Sequence, residues 1–306
     1  MDSKHIPIIN IAPFFEGSPE GKQQVAREIA RACEEIGFFT VVGHGVPLAL
    51  IHSTNATAQA FFDLPLEEKL KVLARPAFGY MPMEAENLSA SLGAKAHSDL
   101  KETLNLKLPV ESASWPQNPP ELILTCEQYF RAMLALSGTI LHLFALALNL
   151  REDFFDDKVD RPNAVLRLIN YPPVSGAQPG QMGAGEHTDY GTLTILWSEQ
   201  SRGLQVRTRS GEWLDVEASP ESFVINIGDL MANWTNDRWI STLHRVTPRV
   251  NQGRRQSIAF FHNPNPDALI ECLPGCCDEA HPPKYAPVLA GEHLRMKVER
   301  ALGKGM

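Results

Sequence analysis

The chain has 306 residues, 43% of them hydrophobic and 21% charged, which is long enough to bury a large core and too apolar for a disordered polymer. Its 28 Lys and Arg against 36 Asp and Glu give a formal charge of −8, which argues against a general nucleic-acid binder because no cationic excess replaces counterions. The first fifteen residues lack the apolar run of a signal peptide, and five cysteines (Cys33, Cys126, Cys272, Cys276, Cys277), odd in number and without framework spacing, suit a reducing cytoplasm.

In chain order, residues 6–11 read as a short apolar strand. Val25, Ile29, Ala32, Cys33 and Ile36 recur at helical spacing, so a helix is expected over 22–36. Gly37 ends it, and 38–42 reads as a strand. Helices are expected over 48–62 and 66–73, and 77–119 is broken by Pro and Gly into an irregular region. A long helix follows over 120–148, cracked near Gly138. Its apolar part, 133–150, is interrupted by Ser137, Gly138, Thr139 and His142 and reads as a buried helix rather than a membrane span.

From Asn163 the texture changes to short runs rich in β-branched and aromatic residues at 164–171, 192–197, 204–207, 223–227 and 257–262, separated by turn residues. That rhythm predicts a mainly β protein with flanking helices, its core a closed or sandwiched jelly roll. A last helix begins near Glu292. Three segments are expected to work as one compact catalytic unit: a helical scaffold over 1–158, the β core over 159–268, and an extension over 269–306. Cys272, Cys276, Cys277 and His281 match none of the usual zinc spacings and read as loop thiols.

The chemistry concentrates in Gly185-Glu186-His187-Thr188-Asp189-Tyr190. Side chains at i and i+2 of extended backbone share a face, so His187 and Asp189 can converge on one ion; on a helix that spacing would splay them. His-x-Asp alone is a short motif, and a lone histidine is more often a hydrogen-bonded core residue. A third ligand is available in His244, within the strand-like Leu243-His244-Arg245-Val246. Two imidazoles and one carboxylate form the facial triad of non-haem Fe(II) oxygenases, which leaves coordination positions open. Eleven residues on, alternation sets Arg255, Ser257 and Ala259 on one face of a strand and Arg254, Gln256 and Ile258 on the other. An inward guanidinium beside a hydroxyl is a carboxylate receptor; outward, both arginines would be ordinary edge charges.

These residues resemble the isopenicillin N synthase-like branch of the Fe(II)/2-oxoglutarate-dependent dioxygenases over nearly the whole chain. The likeness is carried in order by Ile6-Pro7-Ile8-Ile9-Asn10, Gly37-Phe38-Phe39, His44-Gly45, Phe61-Phe62-Asp63-Leu64-Pro65 and Asp99-Leu100-Lys101-Glu102. It continues through Asn170-Tyr171-Pro172-Pro173, His187-Thr188-Asp189, Asn226-Ile227-Gly228-Asp229, Trp234-Thr235-Asn236, His244-Arg245-Val246 and Arg255-Gln256-Ser257. The resemblance implies a double-stranded β-helix core with iron held by His187, Asp189 and His244. It also implies that Arg255 and Ser257 hold 2-oxoglutarate, which is converted to succinate and CO2 as O2 oxidises a small-molecule substrate. Many relatives read Asn-Tyr-Tyr-Pro, and the second tyrosine contacts the cosubstrate. Pro172 takes that place here, so Asn170 is expected to line the pocket and Tyr190 to substitute, with Tyr171 turned to the opposite face. Two other readings stay open: a same-fold oxidase that uses no 2-oxoglutarate, and a non-catalytic barrel binding a small acid. The acidic chain points to a small metabolite, with neither nucleic acid nor membrane as partner.

Overall fold

The computed structural model describes residues 5–73, 78–93, 97–108, 115–199 and 202–301. The outermost ends of the first and third expected segments, 1–4 and 302–306, lie outside them, as does part of the 77–119 region. The first half runs β1 (Ile8–Asn10), α1 (Ala12–Phe15), α2 (Pro19–Glu35), β2 (Phe38–Val42), α3 (Leu48–Phe62), α4 (Leu66–Leu70) and β3 (Gly79–Met81). A 3-10 helix (Leu88–Leu92), β4 (Glu102–Leu106), α5 (Leu122–Ala147) and α6 (Asp156–Val159) complete it. The second half begins with β5 (Val165–Tyr171), β6 (Ala184–His187), β7 (Leu193–Ser198), β8 (Leu204–Arg207), β9 (Trp213–Asp215) and β10 (Phe223–Ile227). It ends with α7 (Asp229–Trp234), β11 (His244–Val246), β12 (Arg255–His262), β13 (Leu269–Ile270), β14 (Val288–Leu289) and α8 (Ala290–Ala301).

Eight strands form the major sheet in the order β1-β2-β10-β7-β12-β5-β4-β3, and β6-β11-β8-β9 form the minor one. Strand alternation gives the major sheet two apolar faces. Phe39 and Val41, Leu166 and Leu168, Leu193, Ile195 and Trp197, Phe223 and Ile225, and Ile258 and Phe260 join the helices in the outer core. Phe38, Ile169, Tyr171, Val224 and Ala259 instead pack toward Ala184, Leu204, Val206 and Val246 of the minor sheet. The jelly roll is the space between those two sheets, closed from outside by α2, α3 and α5. The expected fold class is the one observed.

Three local expectations need correction. Helix α2 starts at Pro19, three residues early, because Ser18 Oγ accepts from Gly21 N at 3.0 Å and Pro19 supplies a preset first turn. Helix α5 is continuous through Gly138: Ser137 Oγ donates to Met133 O (2.5 Å) and Thr139 Oγ1 to Ala135 O (3.3 Å), so both hydroxyls are satisfied within the helix, and its long buried face holds it together. It is long and apolar enough to cross a membrane, yet here it packs as the central helix against α2, α3 and the sheet. The irregular stretch holds β3, the 3-10 helix and β4, and the helical first segment supplies β1 to β4, half of the major sheet. The β4 strand escapes notice because its charges are buried as pairs. Lys101 bonds Asp99 and Glu86, both at 2.8 Å, while Glu102 takes Lys69 Nζ (2.9 Å), Tyr80 Oη (2.5 Å) and Asn170 Nδ2 (2.7 Å).

One turn connects the scaffold to the site. Gly37 has φ +68 and its N–H returns to Ala32 O at 2.9 Å, ending α2; a Cβ there would stand 1.9 Å from Ile240 O. The backbone before β11 docks on this turn through Ile240 N to Cys33 O (3.1 Å) and Thr242 Oγ1 to Ile36 O (2.7 Å). Gly37→Ala should therefore cost about 2 kcal/mol or more in urea unfolding, the left-handed backbone penalty plus displacement of residues 240–242. A second expectation concerns acid. Burial holds His262 down to about 4, so the unfolded chain takes up a proton near its ordinary value while the native chain does not. That contribution to stability is fully present above about pH 6.5 and falls away toward pH 4. Urea midpoints across this window should drop more steeply for the wild type than for His262→Gln.

Candidate active site

Strand β6 pairs antiparallel with β11, and His187 and His244 are direct register partners. Their rings lie 4.2 Å apart by centroid. Asp189 sits two residues past the end of β6, where the chain has left the ladder but still carries the carboxylate inward. Asp189 Oδ1 is 3.8 Å from Nε2 of each imidazole, and one ligand atom from each of the three side chains lies within 4.8 Å of the others. Among the described residues this is the one His, Cys, Asp and Glu group able to hold an ion.

The surrounding bonds fix which atoms are offered. His187 Nδ1 lies 2.7 Å from Gly185 O and His244 Nδ1 3.1 Å from Thr242 O. A carbonyl only accepts, so both Nδ1 atoms carry the proton and both Nε2 lone pairs point to the shared centre. Asp189 Oδ2 accepts from Thr194 Oγ1 (2.5 Å) and Asn226 Nδ2 (2.7 Å), which leaves Oδ1 turned to the imidazoles. Asp229 braces the same loop: its N–H donates to Asp189 O (2.7 Å), and its Oδ2 accepts from Thr188 Oγ1 (3.1 Å) and Lys297 Nζ (2.6 Å). Burial, then the adjacent His244, push His187 down to about 3, so it stays a neutral ligand. Burial alone would raise Asp189, but the two imidazoles and its two donors outweigh that and lower it.

A narrow recess runs from this centre along the inner face of the major sheet. Arg255, Ser257, Ala259 and Phe261 of β12 and Arg167, Ile169 and Tyr171 of β5 line it. Arg255 is 1% exposed; its Nη1 lies 3.4 Å from Ser257 Oγ, its guanidinium carbon 5.0 Å from the Tyr171 ring centre, and its Nε has no partner. No acidic side chain among the described residues pairs with it. Leaving such a charge uncompensated costs several kcal/mol, so this end of the recess is built for an anion. Outward-facing Arg254 pairs with Asp63 on α3's C-terminal side. Two imidazoles, one carboxylate and a waiting guanidinium suit Fe(II) plus an anionic chelator.

Two family models match the chain: the non-haem dioxygenase in morphine synthesis N-terminal region over residues 6–124, and the 2OG-Fe(II) oxygenase superfamily over 162–264. The 2-oxoglutarate-Fe(II) type oxidoreductase hxnY of Emericella nidulans is 32% identical over 317 residues, covering 97% of this chain and 90% of that protein. The chain belongs to the 2OG-Fe(II) oxygenase superfamily. Homoarginine-6-hydroxylase 2-ODD-233 of Oryza sativa subsp. japonica is 35% identical over 97% of each chain. Among solved structures, a full-length Neurospora crassa protein in complex with alpha-KG superposes with a TM-score of 0.88 at 30% identity, covering 99% of this chain and 98% of that one.

In this oxygenase, two expected contacts are misplaced. Asn170 faces away from the recess: its Nδ2 donates to Glu102 Oε1 on the outer side of the sheet, because β5 alternation sends Arg167, Ile169 and Tyr171 inward. Tyr190 does not line the recess either; its hydroxyl meets Ser91 of the 3-10 helix. The tyrosine at the recess is Tyr171, directly opposite Arg255 in the ladder, so Pro172 displaces no contact. Sequence reasoning also passed over Thr194 and Asn226, which orient the carboxylate, and over Lys101 and Arg167, which line the far end. Asn226 in Asn226-Ile227-Gly228-Asp229 and Lys101 in Asp99-Leu100-Lys101-Glu102 are visible as family markers without a role, whereas Thr194 on β7 and Arg167 on β5 belong to no motif. Asn226→Leu should weaken Fe(II) or Co(II) affinity about 10- to 100-fold by releasing Asp189 Oδ2, as measured by metal titration of the folded protein.

Proposed function

We propose that His187 and His244 through Nε2 and Asp189 through Oδ1 hold the Fe(II) of this 2-oxoglutarate-dependent oxygenase, and that Arg255, Ser257 and Tyr171 hold the distal carboxylate of 2-oxoglutarate. The unpaired, fully buried Arg255 in the same recess as the triad carries the reading. When bound, the iron supplies the redox chemistry that couples O2-driven conversion of 2-oxoglutarate to succinate and CO2 with hydroxylation of a small metabolite.

The chain's own residues supply position. Arg255 and Ser257 anchor the anion by charge-assisted donors, and Tyr171 sits against the guanidinium face. Phe38, Leu204 and Val246 wall the centre with apolar surface. The first two chain segments act as one catalytic unit, since β2, Lys101 just before β4, β5 and β12 all present residues to one recess, and the third joins them through Lys297, which bonds Asp229 behind the site. A small metabolite as substrate is supported by relatives named as homoarginine hydroxylases and by the Neurospora crassa protein, solved also with thymine. A cytoplasmic location is supported by five free thiols.

The test is stoichiometry. Succinate should form in step with O2 uptake only when Fe(II) and 2-oxoglutarate are both present. Substrate turnover without 2-oxoglutarate would instead identify the oxidase of the same fold. Arg255→Met should raise the KM for 2-oxoglutarate by about 100-fold, the loss of charged hydrogen bonds to a carboxylate.

A further inference from the structure

The recess has a second guanidinium. Arg167 and Tyr171 both point inward from β5, four residues apart, so Arg167 stands about 13 Å along the strand from the Arg255 level. Its setting is the reverse of that of Arg255. Arg167 Nε donates to Asn105 Oδ1 at 2.8 Å, and Nη1 lies 3.3 Å from each oxygen of Glu86. Glu86 is also bonded by Lys101 Nζ at 2.8 Å, and Lys101 in turn by Asp99 at 2.8 Å. Two cations and two carboxylates thus balance at this end, whereas the Arg255 end has a cation and no carboxylate.

Resting on the oxygenase reading above, we infer that the oxidised substrate is held at its far end by a neutral amide-type group, a lactam, imide or ureide, with its carbonyl on Arg167 and its N–H toward Glu86. The cluster is already balanced, so a carboxylate would add a third negative charge to it and an ammonium a third positive one; either leaves a net charge buried without compensation. A neutral carbonyl with an adjacent N–H adds no charge. The two 3.3 Å contacts are long for a guanidinium–carboxylate pair, so both groups keep capacity for a further hydrogen bond. Side-chain exposures of 18% for Arg167 and 21% for Glu86 leave each partly open, unlike Lys101 at 3%. Between the polar ends the walls are Leu88, Ile169, Leu196, Ala259 and Phe261, which suit the hydrocarbon part of the same molecule.

The experiment compares matched six-membered rings with one probe outside the set. 2-Piperidone, cyclohexanecarboxylate, piperidine and hydantoin are each added to the wild-type enzyme with Fe(II), ascorbate and 2-oxoglutarate. Product is read by mass spectrometry, and binding by the change each causes in the visible band of the anaerobic Fe(II)–2-oxoglutarate complex. 2-Piperidone or hydantoin should bind about tenfold or more tightly than cyclohexanecarboxylate or piperidine, the cost of an uncompensated buried charge. Glu86→Gln, which makes the cluster net positive, should move preference toward cyclohexanecarboxylate, and Arg167→Lys should narrow the amide advantage. Preference for cyclohexanecarboxylate or piperidine, no response to either neutral amide, or a ratio unmoved in both variants overturns the inference. Absence of the visible band before any probe is added marks failure of the oxygenase reading itself.

Discussion

The register that sets His244 opposite His187 is the constraint on which the site depends. In an antiparallel ladder a slip of one residue turns every side chain to the other face, so a shifted β11 would carry its imidazole out of the sandwich. Several bonds hold the register from outside the pair. Gly183 N to Val246 O (2.8 Å) continues the β6–β11 pairing, Asp99 Oδ1 takes Gly185 N (2.9 Å), and Thr242 is tied to the end of α2. The helical half of the chain therefore acts on the chemistry by fixing strand alignment. It also acts directly, since the approaches to β4 and to the 3-10 helix deliver Lys101 and Glu86 to the recess end.

Charge is distributed along the recess with a purpose that follows from desolvation. Each buried ion must be compensated by protein or ligand. At the metal centre Asp189 has two donors on one oxygen and two imidazoles at the other. At Arg255 the protein offers a hydroxyl and an aromatic face but no counter-charge, while at Arg167 compensation is complete within the protein. The same residue type on the same wall is left open at one end and neutralised at the other, which assigns the ends to different ligands.

The amino-acid sequence alone determined the jelly-roll class, most strand positions, the three candidate metal ligands and the shared face of Arg255 and Ser257, while the tertiary structure turned that face inward. Period-two alternation and i, i+2 spacing are local properties that residue types express directly. Strand parity was also legible around Tyr171, but motif matching against Asn-Tyr-Tyr-Pro shifted it by one residue and moved Asn170 and Tyr171 to the wrong faces. Only the tertiary structure decided that β5 pairs Tyr171 with Arg255 and that Gly138 leaves α5 unbroken. It likewise decided that the charged run at 99–102 is buried and leads into a strand, and that Thr194 and Asn226 from two other strands orient Asp189. Each depends on partners distant in the chain: a buried Lys or Glu reads as a surface residue until its counter-ion, brought from another element, is seen beside it.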